Sequence, residues 1–223
     1  GQIVKALKET GLDRNTLIIF TSDNGPWRSY GNHAGSSGGL REAKMTVFEG
    51  GQRVPCLMMW KGHIPGGQVC NKLSSSIDFL PTLAAICNLK LPVNKIDGVD
   101  ISGLLYGKAD TSLRRYFYYY FDDNSLKAVR RDDWKLVLPH RSKTYEANIP
   151  GKDGLPGKAP EISVSLALYD LRQDPAERYD VQKLYPEIVE ELLKVAEQAR
   201  EDLGDDLKEM KGKNRRPAGF IKE

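Results

Sequence analysis

The strongest indication of the fold is the stretch Thr16-Leu-Ile-Ile-Phe-Thr-Ser-Asp-Asn-Gly25. Its first five residues are β-branched, aliphatic or aromatic, and polar and turn-forming residues end the run. A continuous apolar run closed in this way predicts a strand buried on both faces, such as a central strand of a parallel sheet. Ile3, Val4 and Leu7 predict a helix before it, with Gly11 just beyond the helix end. These elements are expected to form the second half of a β-α-β unit.

Asp23 and Asn24 follow the predicted strand directly. In open α/β sheets the ligand crevice lies beyond the carboxyl ends of the strands. A carboxylate and an amide oxygen are hard ligands that suit Ca²⁺, or Mg²⁺ as a second possibility. Asp-Asn-Gly is also a common turn sequence, and from the tripeptide alone a simple Asx turn is the favoured interpretation.

The pattern continues with Lys44, twenty residues after Asn24, and with Glu49-Gly-Gly-Gln-Arg-Val-Pro55. This arrangement resembles the type I sulfatases of the alkaline-phosphatase superfamily. The resemblance covers nearly the whole chain and is weakest at residues 141–163 and beyond residue 208. Three further segments carry it in the family's order: Ser76-Ile-Asp-Phe-Leu-Pro-Thr-Leu83, Ile96-Asp-Gly-Val-Asp100 and Tyr169-Asp-Leu-Arg-Gln-Asp-Pro-Ala-Glu177.

The resemblance implies an α/β fold. Residues 1–108 would be the C-terminal part of an alkaline-phosphatase-like mixed sheet flanked by helices, and that sheet is expected to be mainly parallel. Residues 109–223 would be a small antiparallel-sheet subdomain with one long helix. The sequence supports the second part through short strands joined by Asp/Asn turns. The strands are predicted at residues 115–121, 125–130, 134–138 and 166–171.

Three further segments of the second part are predicted from composition and periodicity. Residues 139–159 lack any periodicity and predict an irregular, mobile loop. Residues 186–203 carry proline at the start, apolar rows at helical spacing and a closing glycine, which predicts the long helix. The basic residues from 208 to 216 predict a solvated tail.

The resemblance also implies chemistry. Type I sulfatases hydrolyse sulfate esters with a formylglycine made from the first residue of a Cys/Ser-x-Pro/Ala-x-Arg motif, and the present chain contains no such motif. We therefore expect the nucleophile in an N-terminal half outside this chain, and we expect the chain alone to be inactive. The expected substrate is a sulfated small molecule or sugar. Two alternatives stay open: a non-catalytic fragment, pseudoenzyme or binding module, and a phosphate-ester hydrolase of the same superfamily.

The same matching implies roles for Lys44 and His33. Lys44 corresponds to the lysine that binds the sulfate group, where a compact ammonium neutralises a sulfuryl oxygen. His33 lies in a polar, glycine-rich loop between the proposed metal ligands and Lys44, where it could contact substrate. From the residues alone, a solvated side chain is the favoured interpretation for both. Glu49 and Arg53 are expected to hold the turn by hydrogen bonds, and Trp27 to pack the loop, whereas Tyr30 stays open between packing and sugar stacking.

Composition sets the remaining bounds. A net charge of +3 on 223 residues gives no support for nucleic-acid binding. The longest apolar run falls short of the roughly 18–20 residues that a membrane span needs. Three widely spaced cysteines predict neither a disulfide framework nor a zinc site. The location stays open from the residues, while the resemblance implies a periplasmic, secreted or lysosomal enzyme.

Overall fold

The computed structural model describes residues 1–108 and 113–217. The described residues divide into two compact units. The first contains residues from 1–23 and 54–115, and the second contains residues from 24–53 and 116–223. The predicted division at 108/109 lies at the edge of the undescribed residues 109–112. The observed division differs from it mainly because residues 24–53 pack with the second unit.

Five helices and eight strands make up the regular structure of the described residues. The helices are α1 (Gln2–Glu9), α2 (Glu49–Gln52), α3 (Phe79–Ile86), α4 (Ser102–Leu105) and α5 (Pro186–Leu203). The strands are β1 (Ile18–Thr21), β2 (Cys56–Met59), β3 (Tyr116–Phe121), β4 (Ser125–Arg131), β5 (Trp134–Val137), β6 (His140–Lys143), β7 (Glu161–Val164) and β8 (Ala167–Asp170). The expected α/β class is confirmed, and so is the strand expected before Asp23.

The first unit holds a two-stranded sheet in which β1 pairs with β2. The pairing is antiparallel and runs from Ile18 opposite Met59 to Thr21 opposite Cys56. Among the described strands every pairing is antiparallel, so the expectation of a mainly parallel sheet was wrong for this chain.

The expected burial of β1 on both faces was also wrong. Phe20 is 65% exposed, and Leu57 on the partner strand is 61% exposed. Ile3 on α1 is 71% exposed. The apolar run shows that β1 is suited to packing between other layers of apolar side chains. Within the described residues, however, β1 has one neighbouring strand, and Phe20 stays exposed.

The second unit is built on the antiparallel sheet β3-β4-β5-β8. One face packs against α5, which contributes Leu192, Val195, Ala196 and Ala199 to the core. The other face packs against Val47 and Phe48 from residues 24–53. This second contact explains why residues 24–53 join the sheet of this unit. The sheet is therefore covered on both faces, and its aromatic residues divide between two cores.

The long helix α5 begins and ends at the predicted residues, Pro186 and Leu203. Proline stands in its first turn, where a missing N–H costs nothing. Gly204 follows with φ of +88°, a conformation that favours glycine. The four predicted strands of this unit are likewise observed within one to two residues of their expected bounds.

Residues 139–159 are more ordered than predicted. β6 pairs with β7 from His140 opposite Val164 to Lys143 opposite Glu161, and a bridge joins Ile149 to Lys158. Residues 144–160 form an excursion between β6 and β7. Main-chain hydrogen bonds stabilise it, and these bonds join residues that are far apart in the sequence, so no local apolar pattern indicates them. The prediction of an irregular loop was wrong for this reason.

The basic residues of the tail that the structure describes are exposed, as predicted for a solvated end, but the main chain there is hydrogen-bonded to the end of α5. The main-chain N–H of Lys213 donates to the carbonyl of Glu201 at 2.8 Å, and that of Asn214 donates to Asp202 at 2.7 Å. Arg215 pairs with Asp206 at 3.2 Å. Main-chain carbonyl groups near the end of α5, together with the carboxylate of Asp206, thus hold the tail. Within residues 1–108 and 113–217, no helix has the length and apolar character needed to cross a membrane.

Candidate functional site

Lys44 lies in a loop whose main chain is held at both of its polar groups. Its N–H donates to the carbonyl of Pro26 at 3.0 Å, and its carbonyl accepts from the hydroxyl of Tyr145 at 2.8 Å. The side chain is partly buried. Glu42 and Met45 on either side have φ of +58° and +72°, which are uncommon values for residues with a side chain. Such conformations persist where surrounding contacts hold them.

The pair Gly50-Gly51 serves close packing rather than an unusual backbone conformation. Both residues lie in α2, which is helical. A Cβ on Gly50 would overlap the carbonyl oxygens of Arg41 and Glu42, and one on Gly51 would lie 2.5 Å from the carbonyl oxygen of Ala43. The glycines therefore let α2 approach the main chain that leads to Lys44.

Trp27 forms one side of the surroundings of Lys44. The ammonium nitrogen lies 5.5 Å from the centroid of the indole ring, within the range of a cation–π contact. Tyr30 packs edge-on to the same indole with centroids 5.1 Å apart. The expected packing role of Trp27 agrees with these contacts. Within its own unit, in the part that the structure describes, Lys44 forms no ion pair.

His33 ends the 3₁₀ segment Arg28–His33 and is exposed. It belongs to the second unit, together with Asn24 and Lys44. Its exposure leaves the imidazole accessible to a ligand. The substrate-binding role of His33 stays a prediction.

Asp23 and Asn24 follow β1 after Ser22, at the strand end where the sequence placed them. Asp23 closes the first unit and Asn24 opens the second. Asp23 is exposed, Asn24 is partly buried, and the hydroxyl of Ser22 donates to Asp23 Oδ1 at 3.4 Å. Two oxygen donors of this type fit a hard cation, which takes six to eight oxygens in the case of Ca²⁺. The described portion of the chain contains no group of three or more His, Cys, Asp or Glu side chains that could hold a metal ion. The metal-ligand role of Asp23 and Asn24 stays a prediction.

Glu49 anchors α2 through a buried cluster of charges. Lys135 Nζ lies 3.0 Å from Glu49 Oε1 and 2.9 Å from Glu177 Oε1, and it donates to the carbonyl of Val47 at 2.7 Å. Arg130 pairs with Glu49 Oε2 at 3.4 Å. The main-chain N–H of Glu49 donates to Glu177 Oε2 at 2.6 Å. Two cations thus balance two carboxylates, and the expected structural role of Glu49 is confirmed.

The titration of this buried cluster follows from its composition. Burial alone would raise the pKa of Glu49, but the charges of Lys135 and Arg130 bring that pKa below its ordinary value. Burial raises the pKa of Glu177 despite the nearby Lys135. Burial would lower the pKa of Lys135, yet Glu177 and Glu49 raise it above its ordinary value. Lys135 therefore stays charged and links the two carboxylates.

Sequence reasoning missed Lys135, Glu177, Glu42 and Tyr145. Lys135 is the one charged residue of strand β5, and a lysine in a strand is expected to face water, but it is fully buried. Glu177 lies in a segment that carried the family resemblance. Its neighbours in the sequence, however, do not indicate that its side chain is buried. Only the contact between residues 24–53 and the sheet creates these environments.

Comparison with known families gives two matches along the chain. Residues 1–89 match the family described as Sulfatase, and residues 112–219 match the C-terminal region of aryl-sulfatase. The two matched segments follow each other with a short interval and contain Asp23, Asn24, His33 and Lys44 in the first.

Individual relatives agree with these families. Arylsulfatase A of Bos taurus is 37% identical over 206 residues, with 89% of this chain and 39% of the relative covered. N-acetylgalactosamine-6-sulfatase of Mus musculus is 35% identical, with 80% and 36% covered. The crystal structure of PsFucS1 sulfatase from Pseudoalteromonas sp. superposes with a TM-score of 0.74 at 30% identity, with 89% and 39% covered.

The chain therefore spans about two fifths of the length of these relatives. The similar structures at about 30% identity are sulfatases, in line with the expected alkaline-phosphatase-like fold. From its family matches, its relatives and its fold, the chain belongs to the sulfatase family and corresponds to a C-terminal portion of it.

Proposed function

We propose that this chain supplies part of the active site of an enzyme that hydrolyses sulfate esters. The observation that carries the proposal is the setting of Lys44: a partly buried lysine, held through its main chain, without an ion-pair partner in the described part of its own unit. A lysine prepared in this way can place its charge on an anionic ligand. Membership of the sulfatase family makes a sulfate group the fitting ligand.

Lys44 would act by binding a sulfate oxygen. Negative charge builds on the ester oxygen and the sulfuryl group during cleavage of the S–O bond, and a fixed ammonium stabilises that charge. Because the main chain of Lys44 is already held, less reorganisation is needed when the charge develops. The indole of Trp27 limits the positions open to the side chain.

Asp23 and Asn24 would contribute oxygen ligands to a Ca²⁺ site, with Mg²⁺ as the alternative cation. The bound cation would supply charge stabilisation to the sulfate group. The remaining ligands would come from residues outside this chain, since two donors cannot complete the shell. The family uses metal and formylglycine in general, and the formylglycine is expected in the missing N-terminal half.

A sulfated carbohydrate is the proposed substrate class. One relative is named N-acetylgalactosamine-6-sulfatase, after a sulfated sugar. Exposed His33 and the aromatic pair Trp27 and Tyr30 belong to the same unit as Lys44, and such side chains suit a sugar ring with polar substituents. His33 would contact the substrate rather than transfer a proton to it.

The proposal is tested by comparing the complete protein with the 223-residue chain. We expect the complete protein to release sulfate from an aryl sulfate and to hydrolyse the matching aryl phosphate more slowly. The isolated chain should give no turnover, because charge stabilisation has no nucleophile to assist. Sulfate release is measured by ion chromatography, with the Lys44→Ala chain as background control. Turnover by the isolated wild-type chain above that background, or failure of the complete protein on sulfate esters, would contradict the proposal.

The metal assignment predicts a loss of cation affinity in Asp23→Asn. Removing one carboxylate charge from a site of hard ligands should weaken Ca²⁺ binding to the complete protein by about tenfold or more. Isothermal titration calorimetry measures the affinity. Asp123→Asn is the matched control, since Asp123 is an exposed turn residue at φ of +46°, where asparagine is also tolerated. Equal affinities in both variants would remove Asp23 from the ligand set.

A further inference from the structure

The excursion between β6 and β7 is tied to the loop that carries Lys44. The hydroxyl of Thr144 donates to Glu42 Oε1 at 2.8 Å, and the main-chain N–H of Tyr145 donates to Glu42 Oε2 at 2.6 Å. Both carboxylate oxygens of buried Glu42 are thus engaged by adjacent residues. These bonds hold Glu42 in its left-handed conformation, two residues before Lys44.

Tyr145 makes a second bond at this place. Its hydroxyl donates to the carbonyl of Lys44 at 2.8 Å, while its side chain is 3% exposed. Burial raises the pKa of Tyr145, so the phenol stays protonated and available as a donor at neutral pH. The same residue therefore holds Glu42 through its main chain and Lys44 through its side chain.

The far end of the excursion is also attached. The carbonyl of Ser29 accepts from the N–H groups of both Gly151 and Gly157, at 2.7 Å each. A Cβ on Gly31 would overlap the carbonyl oxygen of Gly151. The excursion therefore contacts the segment next to Trp27 at one end and the Lys44 loop at the other. It bridges the two loops that surround the ammonium group.

We propose that Tyr145 is a positioning residue for Lys44, acting through the hydrogen bond from its hydroxyl to the Lys44 carbonyl. Met45 follows directly with φ of +72°, an uncommon backbone conformation. This conformation fixes the orientation of the peptide group between Lys44 and Met45. Without this bond, the peptide can rotate and the Lys44 side chain leaves the position set by Trp27. The proposal rests on the sulfate-binding role of Lys44.

The test is a double-mutant cycle between Tyr145→Phe and Lys44→Ala in the complete protein. Phenylalanine keeps the ring and removes only the hydroxyl. We expect kcat for an aryl sulfate to fall by about 3- to 10-fold in Tyr145→Phe, which corresponds to the loss of one hydrogen bond. In the Lys44→Ala background the same change should alter kcat by less than about twofold, because the group that it positions is absent.

Tyr120→Phe is the matched control. The hydroxyl of Tyr120 donates to the carbonyl of Gly204 at 2.8 Å, at the end of α5, so its loss affects the fold but not the Lys44 loop. We expect a lower melting temperature and unchanged kcat. Should Tyr145→Phe fail to fold, Glu42→Gln takes its place, since an amide offers one acceptor oxygen instead of two. The same Lys44-dependent fall in kcat is expected.

The outcomes separate this inference from the proposed function. An equal fall in kcat in both backgrounds, or an unchanged kcat in Tyr145→Phe, overturns the positioning role while sulfatase activity stands. Normal turnover in the Lys44→Ala single variant, which is one corner of the cycle, overturns the sulfate-binding role of Lys44 and the inference with it.

Discussion

Replacing Lys44 with alanine should lower kcat of the complete protein by about 10²–10³-fold, the usual effect of removing one preorganised donor to a developing negative charge. The fold should be retained, because the main chain of residue 44 is held by Pro26 and Tyr145 whatever its side chain. Steady-state kinetics on an aryl sulfate measure the effect. Circular dichroism and Ca²⁺ calorimetry check folding and metal binding.

Lys44→Arg separates a fitted ammonium from a general positive charge. We expect only partial recovery of kcat relative to Lys44→Ala, because a planar guanidinium cannot take the position of a compact ammonium beside Trp27. Lys183→Ala, at an exposed lysine of the same unit, serves as the control for removal of one positive charge. If Lys44→Ala and Lys183→Ala have kcat values within about twofold of wild type, Lys44 has no role in turnover.

Replacing Lys135 with methionine should destabilise the protein by about 3–5 kcal/mol, the typical cost of removing one partner from a buried ion pair. Methionine retains most of the volume, so the main change is electrostatic. The carboxylates of Glu49 and Glu177 would remain buried with one fewer cation between them. Urea unfolding, followed by tryptophan fluorescence, measures the change in the free energy of unfolding.

Two variants show whether charge is the cause. Lys194→Met removes an exposed lysine that pairs with Glu190, and solvent screens such surface pairs so that they contribute little to stability. Adding Glu177→Gln to Lys135→Met removes one of the two unbalanced carboxylates and should recover part of the lost stability. If Lys135→Met costs no more than Lys194→Met, or if the second substitution recovers nothing, the buried charges do not stabilise the contact between α2 and the sheet.

The sequence predicted much of the fold because some elements have a local signature. The bounds of α5 follow from its apolar rows, its proline and its closing glycine. The strands of the β3-β4-β5-β8 sheet follow from short β-rich runs separated by Asp/Asn turns. The family resemblance was likewise present in the motifs, and the family matches support it. Residues 139–159 have no such signature, and their ordered structure was missed.

The candidate site divides in the same way. Lys44, Asp23, Asn24 and His33 could be chosen from the sequence because the family resemblance points to them, although their roles stay predictions. The residues that hold Lys44 could not be chosen in this way. Tyr145 lies 101 positions from Lys44 along the chain.

Local sequence thus carried the family resemblance, most of the helices and strands, and the residue types available for chemistry. Tertiary structure alone decided the antiparallel pairing of β1, the burial of Lys135 between Glu49 and Glu177, and the attachment of Lys44 to Tyr145. The physical reason is the range of the interactions. Periodicity and turn chemistry act between near neighbours in the chain, whereas Lys135 and Glu49 are 86 positions apart and acquire their environment only when α2 packs on the sheet.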